Sequence, residues 1–290
     1  MNCRTDLALE RQEMLNGEEH GGVTVKNWKR ENASVTQIEI VNEEGERSIG
    51  KPIGKYITVE LPEFSHESEL LDGRLSALTE TIRGLLPGDN CTVLVAGLGN
   101  ESITPDALGP LCAKQIFATR HIEKTTANEL GFDSLRPVAA VSTGVLGQTG
   151  IESAEYIKGI VELVRPDAVI TVDALASRRL SRLGRTVQMS DTGITPGSGV
   201  GNARSRIDKS VLGVPVIAIG VPTVVDGETI VSDLTNDERV REKTGAEAKS
   251  MMVTPREIDT VINRAARLLS MSINCALQPD LEPQTFLSLM

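Results

Sequence analysis

The pattern of hydrophobic and polar positions divides the chain into an alternating N-terminal stretch and a longer region of apolar runs. Short alternating runs at 23–28, 35–41 and 56–60 predict strands, because successive side chains of a strand point to opposite faces. Apolar residues with a helical period over 66–86 predict the first long helix. Residues 7–60 are therefore expected to form a small additional β-rich region.

Apolar runs alternate with helical periods through the rest of the chain. The runs that predict strands are 92–97, 138–141, 168–172, 186–189 and 214–221, and the periods that predict helices are about 107–121, 151–164 and 255–274. Such alternation is typical of an α/β fold, a parallel or mixed sheet with helices on both faces. We expect residues 7–290 to form one domain with a catalytic core at 91–230, a mobile segment at 231–254, a C-terminal helix at 255–274 and a loosely held tail.

Composition agrees with this fold class and limits the partners. Apolar residues make up 40% of the 290 residues and aromatic residues 2%, as in α/β cores rich in aliphatic side chains. The formal net charge of −10 repels phosphate backbones, so no nucleic acid partner is expected. The four cysteines are scattered, and the sequence shows neither a signal region nor a membrane-length apolar run. These features predict a cytoplasmic protein with no membrane partner.

Two aspartates stand where α/β sheets usually place their ligands. Asp106 follows the strand predicted at 92–97 and opens the next predicted helix, and Asp173 directly follows the run 168–172. Ligands of open α/β sheets bind outside the carboxyl ends of the strands. Both side chains are therefore expected on the same rim of the sheet.

Two carboxyl groups that meet on this rim cannot both ionise at low cost, so one of them stays protonated. The ionised group can take a proton from water, while the protonated group donates to a carbonyl or to a leaving amine. The pair could equally hold a metal that activates water, although no metal or other cofactor is predicted. Each aspartate also has a purely structural interpretation, Asp106 as a helix N-cap and Asp173 as a strand-end residue that binds loop amides.

Two glycine-rich stretches allow further interpretations. Gly97-x-Gly99 resembles the start of a dinucleotide-binding turn, but Ser102 replaces the third glycine, which favours a simple strand-to-helix turn. Asp191 begins an Asp-Thr-Gly tripeptide without a second copy in the chain, and it is kept as a candidate third acid. The glycines at 193–201 could present backbone amides to a carbonyl or an anion, or could simply permit a mobile loop.

Several motifs, taken in order, resemble the germination protease family of endospore-forming bacteria. They are RTDLALE from residue 4, GLGN and TPDALGP before and around Asp106, ATRH, VLGQTGIE, DAVITVDALASR around Asp173, DTGITPGSGVGN and GVPVIAIGVPTVVD. The resemblance runs from about residue 4 to 230 and is looser beyond that point.

The resemblance implies a core similar to that of hydrogenase-maturation proteases and an aspartic-type endopeptidase in which Asp106 and Asp173 carry catalysis. It implies cleavage of small acid-soluble spore proteins during germination, after acidic and before apolar residues, by a homotetramer in the forespore or spore core. It also implies an inactive zymogen that removes its own N-terminal segment. The bond Asp6–Leu7 fits that preference, which would make residues 1–6 a short propeptide.

Two other functions remain open at this point. A maturation endopeptidase of the hydrogenase type reads a metal in its substrate, and a dependence on nickel would favour it, although no obvious histidine follows the later core strands. A nucleotide-binding regulatory module would rest on Gly97 and Gly99. Titration of nucleotides, followed by thermal stability, would reveal such binding.

Overall fold

The chain is described here through a computed structural model. The structure describes residues 6–14, 21–66, 70–123, 125, 127, 135–234, 248 and 251–289. Strands β1 to β9 are Val23–Arg30, Ala33–Ile40, Gly54–Glu60, Val93–Gly97, Val138–Ser142, Ala168–Ser177, Thr186–Ser190, Val216–Asp226 and Met252–Val253. Helices α1 to α10 are Ala8–Met14, Glu43–Ile49, Gly73–Leu85, Leu108–Lys114, Leu146–Thr149, Ser153–Val164, Lys209–Leu212, Gly227–Leu234, Ile258–Leu277 and Pro283–Leu289.

The described strands form one mixed sheet in the order β1-β2-β3-β7-β8-β6-β4-β5, with β9 paired to β8. Strands β5, β4, β6 and β8 run parallel, whereas β7 is antiparallel to both β8 and β3. The predicted mixed α/β sheet is therefore confirmed. The β-rich N-terminal region extends this sheet, because β3 pairs directly with β7.

Helices cover both faces of the sheet, as the alternation of strands and helices predicts. The larger hydrophobic cluster joins the sheet to α3, α4 and α9 through residues such as Val95, Ile170 and Leu269. The second cluster packs Leu94 and Val169 against α6 and α7 on the opposite face. Each fully buried Leu, Ile or Val side chain stabilises the fold by about 1.5–3 kcal/mol relative to an exposed one.

The helix predicted at 107–121 is wrong in its length, because α4 ends at Lys114. The chain then turns to meet β5 and α9, and tertiary hydrogen bonds replace helical ones. The Phe117 amide donates to Oδ1 of Asn274 at 2.9 Å, and the Thr119 amide donates to the Val138 carbonyl at 2.9 Å.

The prediction of a loosely held C-terminal tail is also wrong. Residues 283–289 form α10, in which Phe286 is 1% exposed and meets the ring of Phe117 edge-on, with the ring centroids 5.9 Å apart. The ends of the segment 231–254 are structured as well, within α8 and β9. Residues 235–247 and 249–250 of that segment, and residues 1–5 of the predicted propeptide, lie outside the described residues.

Strand β6 continues past the apolar run 168–172 to Ser177, because β8 runs beside it over that length. Strand β4, its other neighbour, ends at Gly97 opposite Val172. Asp173 is thus the first residue of β6 beyond the end of β4, inside a strand rather than at its terminus. From Asp173 onward, β6 no longer pairs with β4, so that side of β6 is left open.

Candidate active site

Asp106 ends a short 3₁₀ turn, Thr104–Asp106, between β4 and α4. Its Oδ2 accepts a hydrogen bond from the Asn100 amide at 2.7 Å, whereas α4 begins after Ala107 with no side-chain cap. The carboxylate therefore does not cap α4. Gly99 permits this close turn, since its φ is +111° and an added Cβ would lie 2.1 Å from the Asp106 carbonyl oxygen.

Asp173 is 6% exposed on β6. Its Oδ1 accepts a hydrogen bond from the amide of the next residue, Ala174, at 2.9 Å. The charges that act on its pKa are those of the acids Asp106 and Asp6. A carboxyl group buried in this way carries a high cost of ionisation.

Both carboxyl groups have raised pKa values. Burial raises the pKa of Asp106, and the hydrogen bond from the Asn100 amide opposes this only in part. Burial raises the pKa of Asp173 well above its ordinary value, and the charges of Asp106 and Asp6 raise it further. The more exposed Asp106 therefore ionises first, and its charge then helps to keep Asp173 protonated.

The structure brings Asp106 and Asp173 into the same cleft, which has a volume of about 610 Å³. Ile103, Val145, Leu146, Val200, Val224 and Met252 give this cleft an apolar wall. An apolar wall lowers the local dielectric constant and strengthens the interaction of each carboxyl group with a bound substrate. The arrangement can supply one proton acceptor and one proton donor to a single bound molecule.

Asp6 lines the cleft as well, and so does Glu152, whose carboxylate lies 3.8 Å from the Arg204 guanidinium. The amide of Asp6 donates to the Ala176 carbonyl at 3.1 Å, and Oδ2 of Asp6 accepts from the Ala176 amide at 2.9 Å. The Ser198 hydroxyl donates to its Oδ1 at 2.8 Å. The last residue of the predicted propeptide thus sits beside the end of β6 and beneath the glycine-rich loop.

The segment that follows Asp6 is anchored along β6 and the turn after it. Leu7 is completely buried, and the Glu10 carboxylate accepts hydrogen bonds from the Arg178 and Arg179 amides at 2.7 and 3.0 Å. The Arg182 guanidinium lies 3.1 Å from Glu10 and 2.5 Å from Glu13. These contacts, which involve the motif RTDLALE, hold α1 next to the cleft.

Asp191, the candidate third acid of the sequence analysis, does not line this cleft. It directly follows β7, and its Oδ1 accepts a hydrogen bond from the Lys55 amide at 2.8 Å. This bond ties the end of β7 to the start of β3. Asp191 thus accepts a hydrogen bond from a strand amide, whereas Asp6 lines the cleft with Asp106 and Asp173.

The glycine-rich loop contacts Asp6 through Ser198 and Gly199 of its 3₁₀ turn, Ser198–Val200. A Cβ added to Gly199 would lie 2.1 Å from Oδ2 of Asp6, so only glycine leaves room for this carboxylate. The group offered to Asp6 by this turn is the Ser198 hydroxyl, where the glycine pattern had suggested backbone amides.

No cluster of three or more His, Cys, Asp or Glu side chains suited to a metal ion occurs in the part of the chain that the structure describes. The described helices also include none long and apolar enough to cross a membrane. The absence of a cofactor stays a prediction.

Sequence reasoning missed Ser198, Lys51 and Thr223. Thr223 lies at the irregularity where the pairing of β6 with β8 shifts, it lines the cleft, and its buried hydroxyl has no hydrogen-bond partner among the described residues. Lys51 lines a neighbouring cavity together with Asp6 and Ser198. The motifs DTGITPGSGVGN and GVPVIAIGVPTVVD contain Ser198 and Thr223 and could have drawn attention to them, but no sequence signal marks Lys51.

The fold and the cleft together define the class of protein, an α/β protein with paired carboxyl groups suited to acid–base chemistry. Comparison with known proteins then narrows this class. A family model described as Germination protease matches residues 4–249. The chain belongs to the germination protease family and is a peptidase.

Curated relatives match the chain over nearly its whole length. A protein named Germination protease from Clostridium tetani (strain Massachusetts / E88) is 41% identical over 97% of this chain and 97% of its own. Another from Caldanaerobacter subterraneus subsp. tengcongensis is 43% identical over 97% of this chain and 96% of its own.

A crystal structure of the [NiFe] hydrogenase maturation protease HycI from Thermococcus kodakarensis KOD1 is also similar. It has 19% identity and a TM-score of 0.40, and the match covers 68% of this chain and 98% of that one. At this distance the likeness adds no argument about the site.

Proposed function

We propose that this chain is a self-processing, aspartic-type endopeptidase that degrades small acid-soluble spore proteins during germination. The observation that carries the proposal is the cleft in which Asp106 and Asp173 lie together beside the chain's own Asp6. The family supplies the peptidase activity. The cleft supplies two carboxyl groups with unequal protonation, which is what acid–base hydrolysis of a peptide needs.

The roles of the two aspartates follow from their environments. Ionised Asp106, the more exposed of the two, takes a proton from water, and the water oxygen attacks the carbonyl carbon of the substrate. Protonated Asp173 gives its proton to the carbonyl oxygen. When the C–N bond breaks, Asp106 passes its proton to the leaving nitrogen and the diol returns one to Asp173. One water is consumed, and both aspartates regain their starting states.

The position of Asp6 supports self-processing at the bond Asp6–Leu7. Asp6 lies in the cleft with both aspartates, while Leu7 and α1 are anchored beyond it. A segment in this position also occupies space that a substrate needs. We therefore propose that residues 1–6 keep the precursor inactive until the bond is cut.

The proposal extends to the quaternary state and the compartment. Following the resemblance to the family, we propose a homotetramer that works in the cytoplasm of the forespore or in the spore core, without nucleic acid, membrane or cofactor. Light scattering of the purified chain would measure the assembly. Assays with and without a chelator would test the cofactor.

The central experiment incubates the purified chain with a small acid-soluble spore protein and follows both cleavage and the N-terminus of the enzyme. We expect a mature chain that begins at Leu7 and a substrate that is cut into peptides. Asp106→Asn should remain folded and do neither. A mature N-terminus elsewhere would contradict the processing site, and failure to cut any protein would contradict the function.

A further inference from the structure

The seat of Asp6, formed by Ala176, Ser198 and Gly199, is a small binding pocket for a carboxylate. The acid receives a hydroxyl from Ser198 and a backbone amide from Ala176, one on each carboxylate oxygen, at 2.8 and 2.9 Å. Gly199 closes over it without a side chain, since any Cβ would overlap Oδ2. Two donors in fixed positions and a shape that only glycine permits are the features of a specific acid-binding subsite.

The seat lies between two cavities. On one side is the cleft of Asp106 and Asp173, and on the other is a cavity of about 550 Å³ that Arg11 and Lys51 line together with Asp6. The Nε atom of Arg11 is buried and has no hydrogen-bond partner among the described residues. The carboxylate of Asp6 therefore lies between the two aspartates of the cleft and the cations Arg11 and Lys51.

Lys51 depends electrostatically on this carboxylate. Burial lowers the pKa of Lys51, the charge of Asp6 opposes that effect, and Arg11 adds to it. The Lys51 Nζ lies 5.7 Å from the centre of the Tyr56 ring, which provides a second favourable contact for the cation. Once self-processing removes residues 1–6, these cations lose the Asp6 charge, and a new carboxylate would restore it.

We propose that Ser198, the Ala176 amide and Lys51 form the subsite that recognises an acidic side chain immediately before the scissile bond. Asp6 fills this subsite in the precursor, and an acidic residue of the substrate fills it after processing. This inference rests on the proposed function and names the residues that set its specificity. Ser198 and Lys51 are specificity residues, and neither takes part in the proton transfers.

The first test uses the self-processed enzyme and two peptides, RTDLALER, which copies residues 4–11, and RTNLALER, in which Asn replaces the acid. A charge-assisted hydrogen bond supports a preference for the acidic peptide of about 10- to 100-fold in kcat/KM. Equal kcat/KM values for the two peptides would overturn the subsite. Failure to cut either peptide or any spore protein would instead overturn the peptidase proposal.

The second test changes the enzyme. Lys51→Met should reduce the acidic-over-neutral ratio by about 10-fold. Ser198→Ala should reduce kcat/KM for the acidic peptide more than for the neutral peptide, whose amide oxygen accepts a weaker, uncharged hydrogen bond from Ser198. Lys55→Met is the matched control, because Lys55 lines neither cavity. An equal loss on both peptides would indicate a structural role and overturn the assignment.

The third test needs only the full-length precursor. Asp6→Asn should slow self-processing by about 10-fold, and Asp6→Glu should retain most of the rate. In the Asp6→Asn background, Lys51→Met should cause no further loss, since the two groups act as one interacting pair. Independent, multiplying losses would overturn the pairing of Lys51 with the acid.

Discussion

Two groups of buried or half-buried acids lie next to each other near β6 and the turn that follows it, and they differ in their nearest counter-charges. Glu10 and Glu13 lie against the guanidinium of Arg182, and Glu10 also accepts two backbone amides. Asp106 and Asp173 share the cleft with Asp6, and the charges of Asp106 and Asp6 act on Asp173. Carboxyl groups thus lie within one region under different electrostatic conditions.

This difference in counter-charge distinguishes acids that hold a segment in place from acids that exchange protons. A buried carboxylate that is paired with arginine fixes a segment in place, as Glu10 fixes α1. A buried carboxyl group surrounded by other acids has a raised pKa and holds a proton that it can donate. The comparison predicts that changes in the first group act on stability and changes in the second act on activity.

The largest expected effect is the loss of cleavage in Asp106→Asn and in Asp173→Asn. Each substitution removes a proton-transfer group at nearly constant shape, so we expect kcat to fall by about 10²–10⁴-fold. The fall in kcat is measured by the cleavage of a spore protein, with each variant either produced without residues 1–6 or first incubated with active wild-type enzyme. Circular dichroism must show that both variants stay folded. A variant with near-normal kcat would place its aspartate outside the chemistry.

The second effect concerns the docked segment. Arg182→Met removes the cation from Glu10, which is 1% exposed, and we expect a loss of about 3–5 kcal/mol in the free energy of unfolding or local release of α1. Thermal unfolding and limited proteolysis near residue 14 measure these outcomes. Arg47→Met is the control, because the Arg47–Glu43 pair is exposed and should contribute less than about 0.5 kcal/mol.

The third effect is a pH-dependent gain of stability in Asp173→Asn. The pKa of Asp173 is higher in the folded than in the unfolded chain, so its contribution to stability is present at low pH and is lost as the pH rises above about 4. Asparagine does not ionise and escapes this loss. The Tm difference between variant and wild type should grow with pH, by about 2–4 °C for every kcal/mol.

Asp208 provides a control of opposite sign. Burial would raise the pKa of Asp208, but hydrogen bonds from Ser210 and Val211 and the charge of Arg206 outweigh it and hold the pKa below its ordinary value. Its stabilisation is present above the unfolded pKa and is lost as the pH falls. Asp208→Asn should therefore lower Tm at neutral pH. The same slope for both variants would contradict the pKa shifts.

The smallest effect is expected for Asp191→Asn. The substitution weakens the acceptor of the Lys55 amide, and we expect a loss of about 0.5–1.5 kcal/mol in the free energy of unfolding. Cleavage should change by less than about twofold, since Asp191 lies outside the cleft. A large loss of activity in a stable variant would return Asp191 to the site.

Local sequence patterns predicted most of the fold and the two central aspartates. The strands β4 and β6 are continuous apolar runs, and helices such as α6 follow a helical period, so their burial is visible in the sequence. The end of α4 at Lys114 was not predictable, because contacts with β5 and α9 terminate it. The same holds for α10, which depends on the packing of Phe286.

The sequence by itself determined the α/β class, the positions of Asp106 and Asp173 after core strands and the likeness of its motifs to one family. These features are local, because each depends only on residues that are close together in the sequence. The tertiary structure decided which acids meet, since it places Asp6 and not Asp191 in the cleft, and it decided which residues surround them. It decided this because pKa values and specificity depend on distances between residues far apart in sequence, such as Asp6, Lys51 and Ser198, which only the folded chain brings together.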